Sequence, residues 1–243
     1  MFRLHYFDGT FCLVVAPVGI EEALSASEVA LDLGDSLRGT GFWKAVARVK
    51  TDSELIDRYA DRIAVIDQAA FRSWALVVVP IGVGTILMSL ATIFGVVLIG
   101  VSYGLSDLTA VVVFYLGFGM MLTTTHGLAH LIVGWASGIR FTSWFVGTIG
   151  RPQPGVKIDY VSYLKSSPVR RAWMHASGAI VTKIVPFVLI GAAIAAELPT
   201  WVVWLLPAIG VISIITDMLW STKKSDWKKF QREMALAHMS RSG

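Results

Sequence analysis

Long apolar segments alternate with polar ones over most of the chain after residue 73. Four of them are long enough to cross a membrane as helices, and they lie at about 74–103, 107–138, 172–196 and 201–220. A spanning helix needs about 20 apolar residues, because each residue adds ~1.5 Å towards the ~30 Å of bilayer hydrocarbon. Short turns at 104–107 and 197–200 join the segments in pairs, and a polar connection at 139–171 separates the pairs. The pattern predicts an α-helical membrane domain with about four spans at 73–220.

Residues 1–72 show a mixed polar and apolar pattern instead. Hydrophobic residues alternate on both sides of Asp8-Gly9, which is a hairpin signal, and 41–50 is typical of a further strand. Helical periodicity covers 18–33, and a capping-box pattern at 51–54 begins a second helix. We expect a small cytosolic α+β segment that packs against the membrane domain.

Charge along the chain indicates how the membrane domain is oriented. The 139–171 connection holds six Lys and Arg against the single acid Asp159, and the tail at 221–243 is also basic. The two short turns hold no basic residue. Since Lys and Arg stay on the cytoplasmic side of a membrane, we expect the connection and both termini to be cytoplasmic. The cytosolic tail is expected to rest on anionic lipid headgroups as an amphipathic helix.

Composition narrows the partners and the kind of metal chemistry. Hydrophobic residues make up 55% and charged residues 16% of the chain, so the lipid bilayer is the first expected partner. The net charge of +4 comes from local clusters and gives no support to nucleic-acid binding. Cys12 is the only cysteine, which excludes an intrachain disulfide and a multi-cysteine metal site. Any metal ion must therefore be held by histidines and carboxylates.

Two histidines stand out in the second apolar segment, within the sequence HGLAH at 126–130. Positions i and i+4 lie on one face of a helix, so His126 and His130 can present two imidazoles to one ion. Hydrogen bonding between packed helices is the structural alternative for such a pair. Ionisable groups inside a membrane are rare, costly and usually functional, which favours a metal site.

Two further residues lie at a matching depth and are candidates for a third ligand. Asp217 is near the end of the fourth segment and His175 is near the start of the third. Both therefore share the half of the bilayer that holds the histidine pair. We expect Asp217 to be the third ligand, its alternative being an ion pair with a nearby lysine. His175 is the second choice, and it could instead bind substrate or support the other ligands.

The order of these features resembles the site-2 protease family of intramembrane zinc metalloproteases. HGLAH is similar to the family's H-E-x-x-H motif, and the connection at 139–171 to its membrane-associated β-hairpin region. The next helix of the family corresponds to 169–187, and the helix that supplies an aspartate ligand corresponds to 214–229. The resemblance implies a zinc ion held by the histidine pair and Asp217, a site-2-protease-like helical core and a transmembrane peptide substrate.

Gly127 departs from the family pattern at the position of the catalytic glutamate. That glutamate is the family's general base, and such a base contributes typically ~10²–10⁴-fold to a rate. Asp159 is the one carboxylate left as a substitute, because Asp107 and Glu197 belong to the turns at the opposite side. Zinc by itself lowers the pKa of a bound water to ~7, so a zinc site can persist without the glutamate.

Lys183 is a second departure, since it falls where the family has a Gly-Pro and Asn segment. A lysine at this depth needs a partner. It could pair with Asp217, orient a water or a substrate, or reach outward to the membrane surface.

The sequence leaves two main functions open. The first is a non-proteolytic relative that keeps the fold and the zinc site and binds membrane helices or serves as a subunit of a larger assembly. The second is an active intramembrane zinc metalloprotease or hydrolase that uses a substitute base or zinc alone. Gly127 favours the first function. Transport of a small solute is a third hypothesis, although the spans offer few polar residues for a path.

Overall fold

The computed structural model describes residues 19–147, 154–219 and 225–242. The chain forms two compact units, Met1–Trp74 and Ala75–Gly243. Helices make up most of the described residues in both units.

The described part of the first unit is helical. Its helices α1, α2 and α3 span Ile20–Asp32, Phe42–Val49 and Ser53–Trp74. The strand predicted at 41–50 is wrong, because the apolar residues of this stretch repeat with helical spacing and bury one helix face. These residues are Phe42, Ala45, Val46 and Val49. No strand occurs within residues 19–74, and the hairpin predicted around Asp8-Gly9 lies outside the described residues.

Charged contacts join α1 to α3 in the first unit. Arg62 of α3 binds the Glu28 carboxylate with two hydrogen bonds of 2.7 Å. A third guanidinium nitrogen of Arg62 lies 2.6 Å from Glu21, which also accepts a 3.0 Å hydrogen bond from Tyr59. The hydrogen bond from Tyr59, together with Arg62, lowers the pKa of Glu21. Hydrogen bonding by Arg62 likewise lowers the pKa of Glu28.

The described residues of the second unit form four long apolar helices, two shorter helices and a small sheet. Its long helices are α4 (Ile81–Ser102), α5 (Asp107–Ala136), α7 (Pro168–Ala195) and α8 (Thr200–Leu219). Its other elements are β1 (Val77–Pro80), β2 (Phe141–Val146), β3 (Pro154–Ile158), α6 (Tyr160–Lys165) and α9 (Asp226–Ser242). Among the described residues, the four long helices are long and apolar enough to cross a membrane. They confirm the predicted number of spans and indicate an integral membrane protein.

The first span begins later than the hydrophobic pattern predicts. Residues 77–80 form β1, and Pro80 then stands at the N-cap of α4. A proline disfavours the helical conformation of the residue before it, which keeps Val79 extended. The apolar run at 74–103 is therefore a strand followed by a helix.

The sheet is antiparallel, with β2 in the centre. Val78 of β1 pairs with Phe145, and Val156 of β3 pairs with Trp144. Both β2 and β3 belong to the 139–171 connection, where a hairpin region was predicted. Trp144 of the central strand packs against Gly84 of α4 and Gly127 of α5.

Packing of the long helices buries a core between α5, α7 and α8. Phe114, Leu189 and Leu206 belong to this core. Large apolar side chains on the outer face of α4 stay exposed, among them Ile86 and Leu90. One buried and one exposed apolar face is the expected arrangement for a helix that contacts both protein and lipid.

Candidate metal centre

The histidine pair of α5 presents two ring nitrogens to one point. His126 and His130 lie one turn apart, and their Nε2 atoms are 3.2 Å from each other. The two rings meet edge to face, with centroids 4.7 Å apart. His130 is buried and His126 is half-buried. The space between their Nε2 atoms is therefore more accessible on the side of His126.

Asp226, the first residue of α9, completes a group of three ligand atoms. Its Oδ2 atom lies 3.2 Å from Nε2 of His126 and 3.2 Å from Nε2 of His130. The three atoms thus form a nearly equilateral triangle. Ligands ~2.0–2.1 Å from a tetrahedral zinc ion are separated by about 3.3–3.4 Å. The group lies close enough to hold one metal ion.

The backbone of α7 fixes the orientation of His130. Its Nδ1 atom lies 2.7 Å from the carbonyl oxygen of Met174. A carbonyl oxygen only accepts hydrogen bonds, so Nδ1 carries the proton and, in the neutral ring, Nε2 keeps its lone pair. A hydrogen bond of this kind is the usual support of a metal-binding histidine.

Gly178 provides the space for the same ring. A Cβ atom at position 178 would lie 2.4 Å from Nε2 of His130. The Nε2 end of the imidazole therefore lies against the α7 backbone, which only a glycine permits at this distance.

Asp226 lies in the first turn of α9, after Ser225. The backbone N–H of Lys228 donates to Ser225 Oγ at 3.3 Å, which caps the helix. The second carboxylate oxygen of Asp226 accepts a 3.0 Å hydrogen bond from Lys229. Burial alone would raise the pKa of Asp226, but the neighbouring His126 and His130 side chains and the charge of Lys229 hold this pKa well below its usual range. Asp226 is therefore ionised at neutral pH.

The structure corrects the prediction that Asp217 is the third ligand. Its carboxylate forms an ion pair with Lys183, whose ammonium also donates to the Ala179 carbonyl at 3.3 Å. The reason is electrostatic, since an ammonium on a membrane-spanning helix needs an anionic partner. Of the alternatives considered for Lys183, pairing with Asp217 is the one observed.

Asp226 was not predicted because it lies beyond the end of the last apolar segment, where depth in the bilayer does not indicate a ligand. Its signal in the sequence was a helix start, Ser225 before Asp226, directly beyond the last span. The tail was expected to rest on lipid headgroups, whereas α9 packs on α7.

His175, the second choice for a ligand, is buried and engaged elsewhere. Its Nε2 atom lies 2.9 Å from the Tyr163 hydroxyl, which in turn donates to Glu233 at 2.9 Å. His175 is not a member of the group formed by the other two histidines and Asp226. It lies next to Met174 on the turn of α7 that holds His130.

Trp144 occupies the space beside Gly127. A Cβ atom at position 127 would lie 2.6 Å from Cζ3 of Trp144, and one at Gly84 would lie 2.4 Å from Cδ1 of the same ring. The indole is buried and donates a 3.0 Å hydrogen bond to Thr85. The indole thus fills a slot between two glycines, and no carboxylate fits where the family resemblance places a general base.

Asp159, the substitute base considered from the sequence, has a structural role. It is the N-cap of α6 and accepts hydrogen bonds from the backbone N–H groups of Val161 and Ser162. Capping satisfies donors that the helix leaves free, which accounts for the carboxylate at this position.

An apolar groove of about 530 Å³ runs between α5 and α7. Thr125 and Ala129 line it, and they precede His126 and His130 in the chain. On the α7 side the lining includes Trp173 and Ser177, and the Ser177 hydroxyl donates to the Met174 carbonyl at 2.7 Å. The groove therefore borders the turn of α7 that orients His130.

No model of a known protein family matches this chain, and no curated protein or solved structure matches it either.

Proposed function

We propose that the protein is an integral membrane zinc-binding protein of the site-2-protease-like type that lacks efficient peptidase activity. The observation that carries the proposal is the triangle of 3.2 Å distances between Nε2 of His126, Nε2 of His130 and Oδ2 of Asp226. Two nitrogens and one carboxylate oxygen are a ligand set that zinc prefers.

The hydrogen-bonding state of these atoms supports a metal ion between them. The proton of neutral His130 is on Nδ1, so its Nε2 lone pair faces a carboxylate oxygen at 3.2 Å. Two lone pairs at this distance repel each other unless a proton or a metal ion lies between them. A metal ion satisfies all three atoms together, whereas a proton satisfies one pair.

Three protein ligands leave the fourth position of a tetrahedral ion open, as in catalytic zinc sites. A zinc ion held there would act as a Lewis acid and lower the pKa of a bound water to ~7. The three ligands would thus allow a zinc ion to activate water. Neither of the two positions considered for a general base, 127 and 159, supplies one. Trp144 fills the slot at Gly127, and Asp159 caps α6.

Binding of a membrane-embedded partner fits this site better than turnover. The groove between α5 and α7 is apolar and borders the histidine pair. A transmembrane segment, either of a partner protein or of a slowly processed substrate, is the ligand that we assign to it. Cytoplasmic placement of the 139–171 connection and of the tail, as the basic residues indicate, would put the site in the cytoplasmic half of the bilayer.

Metal content tests the zinc site directly. Protein purified in detergent should contain one zinc per chain, measured by elemental analysis. His126→Ala should abolish it and Asp226→Asn should reduce it to weak residual binding by the two histidines, whereas Asp217→Asn should retain it, because Asp217 contacts Lys183. Metal-free wild-type protein that cannot be reloaded, or equal zinc content in Asp226→Asn, would overturn the assignment.

An active hydrolase is the second candidate function, favoured by the open fourth position. It requires that wild-type protein cleave a transmembrane peptide and that a chelator or His126→Ala stop the cleavage. Absence of product from zinc-loaded wild-type protein supports the non-proteolytic form.

A further inference from the structure

A second polar cluster is buried at the same end of the bundle. Glu233 of α9 is 4% exposed and Arg171 of α7 is 1% exposed, with a 2.7 Å distance between Arg171 Nε and Glu233 Oε2. The other oxygen of Glu233 accepts the 2.9 Å hydrogen bond from the Tyr163 hydroxyl. His175 contacts the same hydroxyl at 2.9 Å. We call these four residues the α9 anchor.

The α9 anchor joins Glu233 of α9 to α6 and α7 through buried polar contacts. Arg171 is held further by the carbonyl oxygens of Leu164 and Ser166, at 3.0 and 2.8 Å. Burial of an ion pair is costly unless its geometry and hydrogen bonds are satisfied, so a shift of α9 would leave two buried charges unpaired. Burial and the negative charge of Glu233 also raise the pKa of Tyr163, which keeps its hydroxyl proton available for donation.

Asp226 and Glu233 lie on the same face of α9. They are seven residues apart, which is two helical turns or about 10.5 Å along the axis. Fixing Glu233 against α7 therefore fixes both the rotation and the height of α9 at Asp226. Phe230, between them, packs on Trp173 of α7 with ring centroids 5.6 Å apart.

One turn of α7 organises both ends of the arrangement. The Met174 carbonyl orients His130 of α5, and the next residue, His175, contacts the Tyr163 hydroxyl that binds Glu233. The same backbone segment of α7 thus helps to position metal ligands from two separate helices, α5 and α9.

We propose that Glu233, with Arg171, Tyr163 and His175, is a positioning residue that places Asp226 within coordinating distance of the histidine pair. The proposal deepens the zinc-binding function and rests on it. Support around a metal ligand is worth about 10–100-fold in metal affinity, which sets the expected effect.

Cobalt titration of the full chain in detergent tests the proposal, because the visible absorption of Co²⁺ depends on its coordination. Glu233→Gln should raise the Kd for Co²⁺ about 10–100-fold and weaken the absorption typical of a tetrahedral ion. Glu197→Gln is the matched control, since Glu197 is exposed in the turn between α7 and α8, and it should change neither quantity. Tyr163→Phe removes a single hydroxyl and should raise the Kd in the same direction, which provides a milder variant if Glu233→Gln does not fold.

A double-mutant cycle separates positioning from general destabilisation. If Glu233 acts through Asp226, Glu233→Gln should change the Kd by less than about two-fold when Asp226 is already Asn. An equally large change in that background, or an unchanged Kd and spectrum in both Glu233→Gln and Tyr163→Phe, overturns the inference while zinc binding by wild-type protein stands. Wild-type protein that binds neither Co²⁺ nor Zn²⁺ overturns the proposed function itself.

Discussion

At the scale of single residues, glycines decide which side chains surround the metal-binding group. Gly127 and Gly84 admit the Trp144 ring, and Gly178 admits the His130 ring. HGLAH thus differs from the H-E-x-x-H motif that it resembles in more than one residue, because an indole fills the space beside Gly127. Gly127 and Trp144 form a matched pair.

Substitution at Gly127 is expected to destabilise the protein. Gly127→Ala places a Cβ atom 2.6 Å from Trp144, and overpacking of this kind costs about 1–3 kcal/mol. Gly119→Ala is the matched control on α5, because its Cβ atom meets nothing within 4 Å and the better helix propensity should gain up to ~1 kcal/mol. Thermal unfolding in detergent measures the stability of both variants. Equal melting temperatures would contradict the close packing of Trp144 against Gly127.

Introducing a glutamate at position 127 should not by itself create a protease. Gly127→Glu requires the indole to leave its slot, so we expect lower stability and no cleavage of a transmembrane peptide. Combining Gly127→Glu with Trp144→Ala opens the space that the carboxylate needs, and it is the variant in which a chelator-sensitive cleavage should first appear. Cleavage by Gly127→Glu alone would show that Trp144 is not the obstacle.

At the scale of elements, α7 is the support on which the site is assembled. Its turn around Met174 and Gly178 holds His130, and its contacts with α9 hold Asp226 in place. The apolar groove is formed by the same two helices, α5 and α7. A change in the distance between these helices should therefore alter metal binding and the groove together.

Gly178→Ala should lower zinc affinity by about ten-fold or more, because mutation of residues that support a metal ligand typically lowers metal affinity by about 10–100-fold. Its Cβ atom would lie 2.4 Å from Nε2 of His130 and would push the ring off the helix. Gly191→Ala, on the same helix with nothing within 4 Å, is the control and should bind zinc as wild type does. Competition with a chromophoric chelator gives both constants, and identical values would exclude close packing of His130 on α7.

The first unit offers a separate prediction about pH. The pKa values of Glu21 and Glu28 are lowered in the folded unit, so the stabilisation by Arg62 is fully present above their unfolded pKa of ~4.3. It is lost as the pH falls through the lowered pKa values. The protection factors of the α1 amides in the full chain, which are corrected for the intrinsic exchange rate, should fall on acidification below about pH 4. Arg62→Met should lower those protection factors at pH 7 and make them less dependent on pH, and an unchanged pH profile would contradict the contact.

At the scale of the whole molecule, hydrophobic segments were predictable and the complete site was not. Spans and the histidine pair follow from patterns local in sequence, an apolar run and an i, i+4 spacing. Asp226 depends on how α9 returns to α7 after the last span, which no local pattern encodes. The strand predicted at 41–50 is wrong for a different reason. A short apolar stretch fits both the helical and the strand periodicity, and only its buried positions, such as Phe42 and Val49, distinguish the two.

Orientation in the membrane follows from the charge pattern and gives a prediction for the whole chain. The turn before α5 should face away from the cytoplasm, because it holds no basic residue, and β2 should face the cytoplasm together with its basic connection. In a Cys12→Ser background, Ser106→Cys and Thr142→Cys place single thiols at two exposed positions on these opposite sides. A membrane-impermeant maleimide added to intact cells should label Ser106→Cys alone, and permeabilised cells should allow labelling of both. Labelling of Thr142→Cys in intact cells would indicate the opposite orientation. The metal-binding group would then lie in the outer half of the bilayer, and a partner or substrate would have to approach from outside.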